Sequence, residues 1–313
     1  MHDVTPPGRI PAKLALRAGF TLIEMAVVLV IIGLIVGAIL VGQDLIGAAA
    51  VRGTISQIAK YNAAANTFRN KYSALPGDIN GNTALQLGLS ANGMRYQNWP
   101  NYTEGLPGLG DGNGVIECTG NPQYPSYAGG LCQSGETALF WQDLLSLGLI
   151  EDSTTGCPGT PAAAVGNGNC FFVWNGGWAG GDGVNYYDLS VYVNLSGYGR
   201  CSGCLASNPG LTVKQAYAID SKMDDGFPQS GNVESFYLSA NSQGQNDIAW
   251  AGVGSSNQGG IPVSWMGATY TTATPGSATT CFDNGNTAGT AQHYSLEANN
   301  GAGVNCALSF RFQ

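Results

Sequence analysis

The polarity pattern of the chain changes twice along its length. Residues 25–42, MAVVLVIIGLIVGAILVG, carry no charged or strongly polar side chain, and Phe20–Ile23 extends this apolar stretch toward the N-terminus, with Thr21 and Glu24 as its polar exceptions. A helix over 20–42 would be about 34 Å long at ~1.5 Å per residue, enough to cross a hydrocarbon core of ~30 Å. The core helix of a soluble protein keeps a polar face. This run has none, so the pattern predicts a membrane-spanning helix. From there Val51, Ile55, Ile58, Ala65, Phe68 and Tyr72 recur mostly at intervals of three and four among polar residues, the mark of a helix with one buried stripe. Pro76-Gly77 stops it. The two segments predict one helix of about 50 residues, apolar all round in its first half and one-faced in its second, with no proline between Phe20 and Pro76.

Residues 76–313 read differently again: short apolar segments separated by Gly-, Asn-, Ser- and Thr-rich turns. The candidate strands are Phe171–Trp174, Leu189–Leu195, Phe236–Ala240, Ile248–Val253, Val263–Tyr270 and Ala307–Phe312. The last alternates Leu308, Phe310 and Phe312 with Ser309, Arg311 and Gln313, as a half-buried strand does. Glu136–Leu147 reads as a helix ending at Gly148. Thr212–Met223 reads as another, opened by a Thr-x-x-Gln capping box and closed before Gly226. The expected fold class is α+β, with an antiparallel sheet packed on the second half of the long helix.

Composition narrows the function. Only 10% of the 313 residues are charged and 47 are Gly, a balance that points to turn-rich β structure rather than a cytosolic helical protein. Of the charges, Arg9, Lys13, Arg17 and Asp3 lie in the first 19 residues, so 20–313 carries nine cations against nineteen anions. Such a surface repels phosphate backbones, and no nucleic acid partner is expected. The two His, at 2 and 293, and the lack of a dense Cys/His cluster leave little material for a zinc centre or His-dependent catalysis. No nucleophile, base and oxyanion set can be assembled, and no phosphate loop is present. A non-enzymatic structural or binding protein is therefore expected. The cations that precede the apolar run place the N-terminus in the cytoplasm and 43–313 outside.

The stretch Arg17-Ala-Gly-Phe-Thr-Leu-Ile-Glu24, running directly into the apolar segment, resembles the N-terminus of type IV pilins and type II secretion pseudopilins. The resemblance implies a pilin-like fold and a leader of residues 1–19, followed by a membrane and filament-core helix at 20–42. The amphipathic half of that helix would occupy 43–75 and an exported globular head 76–313. It implies cleavage after Gly19 by the prepilin peptidase, which also methylates the new Phe20 amine. The protein would first sit in the inner membrane with its head periplasmic, then join a pilus or pseudopilus with other pilin subunits. Glu24 has a physical argument of its own, because a carboxylate near the end of an apolar helix is costly in lipid and asks for a partner. In the membrane the cytoplasmic headgroups supply one, about a turn from the mature start; in a filament the resemblance implies the Phe20 amine of a neighbouring subunit, making Glu24 an assembly residue. Gly33 and Gly37 give a small-xxx-small spacing that permits close helix approach. The competing readings are a minor tip subunit, suggested by a head of about 240 residues, and a calcium-dependent adhesin on a pilin-type anchor.

Three sets of candidate residues lie in the head. Eight cysteines, Cys118, Cys132, Cys157, Cys170, Cys201, Cys204, Cys281 and Cys306, suit an oxidising compartment and up to four disulfides. Eight cysteines allow 105 pairings. Near-neighbour pairing (118 with 132, 157 with 170, 201 with 204, 281 with 306) is the first expectation, and Cys201-Ser-Gly-Cys204 is read in a Gly/Ser loop as a staple rather than a redox centre. Asp111, Asn113 and Glu117 in GDGNGVIE resemble the first half of a calcium loop, although Val115 takes the fifth position; Asp224/Asp225 and Asp78/Asn80 are further candidates. The aromatic residues read first as core and loop packing, with those among amide-rich turns, Trp99–Tyr102 and Trp174–Trp178, offering an adhesive surface as the alternative.

Overall fold

The computed structural model describes residues 21–89, 110, 112–118, 135–157, 159–175, 184–198, 201–240, 246–251, 280–283 and 291–312, with the backbone alone at 196–198, 201–204, 239–240, 246–250 and 298. Two compact units are defined, Met1–Ile46 and Gly47–Gln313. The first is the opening half of helix α1 (Leu22–Tyr72), whose large apolar side chains are exposed from Leu22 through Ile46. By length and composition this helix can cross a membrane. It runs 51 residues without a break, as the absence of proline allows, and ends at Ser73, whose φ of 57° takes the chain out of helical geometry.

In the second unit α1 buries Val51, Thr54, Ile58, Tyr61, Ala64, Ala65 and Phe68. Four of these are positions of the expected stripe; Thr54, Tyr61 and Ala64 were not in it, and Ile55 and Tyr72 are only partly buried. Tyr61 is the centre of the packing. Its ring meets Trp141 at 4.9 Å, Phe171 at 5.2 Å and Tyr187 at 6.1 Å, all edge-on. Contacts of this geometry contribute roughly 0.5–1.5 kcal/mol each beyond area burial. Polar contacts fix the register of the same face. Gln57 donates to the Ala162 carbonyl (3.0 Å) and accepts from the Ala164 amide (2.7 Å), one turn from Thr54, whose hydroxyl oxygen accepts from Val165 N (3.1 Å).

The main sheet comprises β1 (Asn169–Asn175), β2 (Asn185–Tyr198), β3 (Cys201–Asn208), β5 (Val233–Glu234) and β11 (Leu308–Arg311), all antiparallel. Between β3 and β5 come β4 (Leu211–Thr212) and α4 (Val213–Met223). β2 pairs with β1 along one edge; its other edge takes β11 at Tyr186–Leu189 and β3 from Val191 onward. β11 lies between β2 and β5, so the last strand of the chain is interior to the sheet. Phe171 and Tyr187 face α1 and α3 (Glu136–Ser146), whereas the cross-strand pair Trp174 and Tyr186 stacks at 5.3 Å and meets Phe236. Phe236 belongs to a second layer, the hairpin of β6 (Phe236–Ala240) and β7 (Asn246–Trp250).

This second layer overturns one expectation and decides between two readings of another residue. Ser309, read as the solvent side of a half-buried strand, is fully buried and donates to the Phe236 carbonyl (3.0 Å). Trp174 is fully buried along with all seven residues of β1, which is the core-packing reading of the aromatics and not the adhesive alternative. Trp99, Tyr102 and Trp178 lie outside the described residues, as does the candidate strand Val263–Tyr270. The loop reading of Cys201–Cys204 is also corrected, since both belong to β3. Two-stranded pairings complete the unit: β4 with β10 (Val304–Cys306), and β8 (Phe282–Asp283) with β9 (His293–Tyr294). The predicted capping box is present on α4, Thr212 Oγ1 accepting from Gln215 N and Gln215 Oε1 from Thr212 N.

Candidate functional site

The start of α1 is organised by two side chains. Thr21 is the residue before the first helical turn, and its backbone amide (2.7 Å) and hydroxyl (2.8 Å) both donate to Glu24 Oε2, while Glu24 N donates back to Thr21 Oγ1 (3.2 Å). This is a capping box: residues Ncap and N3 satisfy each other's orphan groups at a helix end where no preceding carbonyls exist. It answers part of the cost of a carboxylate in an apolar segment, because Glu24 engages two donors beside the positive end of the helix dipole. The Glu24 carboxylate remains exposed, next to Leu22 at 91% exposure and Ile23 at 72%. The capping role was legible in Thr21-Leu-Ile-Glu24, a Thr-x-x-Glu pattern, yet the sequence reading assigned Glu24 only an intermolecular partner. Gly19 and Phe20 lie outside the described residues.

The loop that suggested calcium is held from within by carboxylates. Asp78, fully buried, accepts from Gly112 N (2.7 Å) on Oδ1 and from Gly114 N (2.8 Å) on Oδ2. Gly110, Gly112 and Gly114 all have positive φ, and alternate left-handed residues turn successive amides inward to form an anion-binding nest. The side chain of Asp78 occupies it. Glu136, also fully buried, accepts from Gly110 N (2.7 Å) and Glu117 N (2.9 Å), and Asn185 accepts from Ile116 N while donating to the Gly114 carbonyl. Asp143 accepts from Gly77 N (2.8 Å), where a Cβ would stand 2.4 Å from the Glu136 carbonyl oxygen, so only glycine fits. Of the predicted ligands, Asn113 Oδ1 accepts from Val115 N (2.7 Å), Asn80 caps α2 (Gly81–Gln86) by accepting from Asn82 N, and Asp111 lies outside the described residues. The sequence reading passed over Asp78, Glu136 and Asp143 as a linked set. Their distance in sequence from GDGNG gave no signal.

At the C-terminal end of α4, Asp220, Asp224 and Asp225 bring one carboxylate oxygen each within 4.8 Å of one another. Asp220, buried, accepts from Gly226 N (3.1 Å) and the Tyr294 hydroxyl (2.8 Å). Asp224 Oδ2 accepts from the amides of Asn232 and Val233 at the start of β5, and Asp225 accepts from Phe227 N and Ser230 Oγ. Burial pushes the Asp220 carboxyl up to about 7; its hydrogen bonds from Tyr294 and Gly226 oppose this, and the neighbouring Asp225 and Asp224 add to it.

Two disulfides are defined, Cys157–Cys170 and Cys281–Cys306, both among the expected near-neighbour pairs. Each anchors an irregular segment to a strand, the first next to the Ala162–Cys170 bridge and the second beside β10. Cys118 is also disulfide-bonded, and Cys132 lies outside the described residues.

Residues 14–40 match the prokaryotic N-terminal methylation motif. No curated protein and no solved structure matches the chain. The matched segment contains Gly19, Phe20, the Thr21–Glu24 capping box and the apolar turns that follow. The chain thus carries the signature of type IV pilins and pseudopilins at the head of an α+β, pilin-like fold.

Proposed function

We propose that the protein is a non-enzymatic pilin-like subunit, cleaved after Gly19, N-methylated on Phe20 and assembled through the first half of α1 into a type IV pilus or a type II secretion pseudopilus. The observation that carries this reading is the methylation motif lying on a helix start whose carboxylate is already organised by Thr21, ahead of 18 apolar or small residues from Met25 to Gly42. Cleavage would leave one residue, Phe20, ahead of the cap, which puts its amine beside the Glu24 carboxylates of a helical assembly. The inner membrane holds the subunit before assembly, with the head on the periplasmic side. The size of the head favours a minor, tip-located subunit as the second reading, because bulky heads crowd less at a tip.

Mass spectrometry of the N-terminal peptide tests this, on protein from membranes and from the sheared extracellular fraction. The expected result is an N-methylated Phe20, with abundance in the sheared fraction separating a major from a minor subunit. An intact Met1 leader in both fractions would remove the proposal. Calcium belongs to the same proposal, at Asp220, Asp224 and Asp225 rather than in the glycine loop, because the loop amides already surround a carboxylate while the three aspartates converge. A rise of several degrees in melting temperature with millimolar calcium, lost in Asp225→Asn, is expected; an unchanged melting curve would dispose of it.

A further inference from the structure

Charge is segregated within the second unit, Gly47–Gln313. Between Asp44 and Asp78 the sequence holds no acidic residue and four cations, Arg52, Lys60, Arg69 and Lys71, all on α1 and all exposed. The rest of the unit, 73–313, carries five cations against seventeen anions. Lys60 is answered by Asp152 (2.9 Å) and Lys71 lies over the ring of Tyr72 (5.2 Å from its centre), whereas Arg52 and Arg69 meet no acid among the described residues. The helix dipole favours cations in a last turn, which accounts for Arg69 and Lys71. It accounts neither for Arg52, about five turns earlier, nor for the missing acids, since acid–base pairs at i,i+4 are the ordinary support of an exposed helix face.

The helix face between these cations is shaped for contact. Ser56, Ala59, Ala63, Asn66 and Asn70 recur at intervals of three and four, are all exposed, and lie opposite the buried stripe of Thr54, Tyr61 and Phe68. Small side chains let another surface approach the helix closely. From Arg52 to Lys71 the face is about 29 Å long at ~1.5 Å per residue. A complementary surface stands elsewhere on the same unit. At the end of α4, Asp220, Asp224 and Asp225 converge, with Lys222 as the cation of that last turn. Beside them Tyr217 is 40% and Phe227 37% exposed, and the Phe227 ring lies 5.2 Å from that of the exposed His293. Carboxylates next to open aromatic faces suit an ammonium or guanidinium group, which gains from both.

Two cationic α1 faces repel each other, and so do two acidic ends, so the charges oppose a contact of like with like. They favour α1 of one copy against the α4 end of the next. We propose that the exposed face of α1 from Arg52 to Lys71 is a docking surface for the acidic, aromatic end of α4 on a second copy of this chain. The contact is heterologous: each copy keeps one α1 face and one acidic end free, so it propagates along a row of subunits. The proposal rests on the assembly reading given above and adds contacts between heads to the packing of apolar helices.

Zero-length crosslinking of the detergent-solubilised full chain with a water-soluble carbodiimide tests the proposal, because it joins a lysine only to a carboxylate in contact with it. A chelator is present throughout, since the same aspartates are the proposed calcium site. The expected product at low ionic strength is a dimer whose linked peptides join Lys71 to Asp224 or Asp225. Its yield should fall roughly tenfold at high salt. It should fall as far in the R52E/R69E protein, which strips charge from the face, keeps Lys71 as reporter and leaves the melting temperature unchanged. Lack of a dimer at low salt, Lys71 joined to carboxylates elsewhere, or undiminished crosslinking in the variant would overturn the docking. The sheared fraction distinguishes this failure from that of the assembly reading. Filaments of R52E/R69E at wild-type yield, with N-methylated Phe20, would overturn the docking and leave the proposed function standing; an intact leader in the wild type would remove the proposed function whatever the crosslinks show.

Discussion

Replacing Asp188 with Asn should make the protein markedly more stable at pH 8 while changing little at pH 4. Asp188 stands in the opening stretch of β2, between β1 and β11, and is fully buried on the face covered by the β6–β7 layer. Ser190 Oγ donates to it at 2.6 Å, Ser309 pairs with it across the strands, and the Tyr237 hydroxyl of β6 interacts electrostatically with it. Burial without a cation pushes its carboxyl up to about 8; hydrogen bonds from Ser190 and the Leu238 backbone pull it only part of the way back. An unfolded aspartate titrates near ~3.9. Between those values the native state holds a proton that the unfolded chain releases. Stability is therefore fully present below about pH 4 and declines as pH rises through 8, by as much as on the order of 5 kcal/mol over the whole interval. The carboxamide keeps the shape and the Ser190 contact but carries no titrating proton, so Asp188→Asn removes that slope. Urea unfolding of the detergent-solubilised protein at pH 4, 6 and 8 reads it. The variant retains a smaller decline of the same sign from Asp220, which is common to both proteins. Parallel pH profiles for wild type and variant would show that Asp188 is ionised in the folded head.

The same residue shows why part of the fold was legible in sequence and part was not. The long helix was readable because its signals are local: eighteen apolar residues in a row, then spacings of three and four. Strands β1, β2, β6, β7 and β11 announced themselves by their apolar runs, with β7 beginning two residues earlier and ending three earlier than expected. What covers a strand is not local. Asp188, Ser190 and Ser309 look like the wet face of a two-layer sandwich, and only the β6–β7 hairpin laid over them makes that face interior. Of the unmarked strands, β4, β5, β8, β9 and β10 are two or three residues long, too short for alternation to register, whereas the eight-residue β3 was read as a loop because its start is Gly- and Ser-rich. Tyr61 was missed for a related reason. Its burial comes from Trp141, Phe171 and Tyr187, residues 80 to 126 positions away, while its neighbours Lys60 and Asn62 mark that turn as polar. The candidate sites divide in the same way. The Thr21–Glu24 cap was readable over four residues, whereas the nest that Gly112 and Gly114 form around Asp78 spans 36.

Glu24→Ala should lower the yield of sheared filaments at least tenfold while leaving membrane insertion and cleavage after Gly19 intact. Insertion is driven by the apolar turns from Met25 to Gly42, and removing a carboxylate makes the segment less costly in lipid. Assembly is another matter. Under the proposed function, each Phe20 amine enters a bundle of apolar helices and needs a counter-charge there, since an unpaired charge in a low-dielectric packing is far costlier than a paired one. Glu24 is the only acidic residue between Phe20 and Asp44. Loss of the cap alone costs about 1 kcal/mol at a helix end, and cooperative assembly multiplies a per-subunit cost of that size, so the cap and the charge have to be separated by experiment. Glu24→Gln separates the two roles. Glutamine at N3 still accepts from the Thr21 amide and hydroxyl, so the capping box survives while the charge does not. Filament loss in both variants, with normal cleavage in both, assigns the effect to the charge. If Glu24→Gln assembles normally and Glu24→Ala does not, the cap is the determinant and the intermolecular pairing falls. Normal filament yield from both would remove Glu24 from assembly altogether.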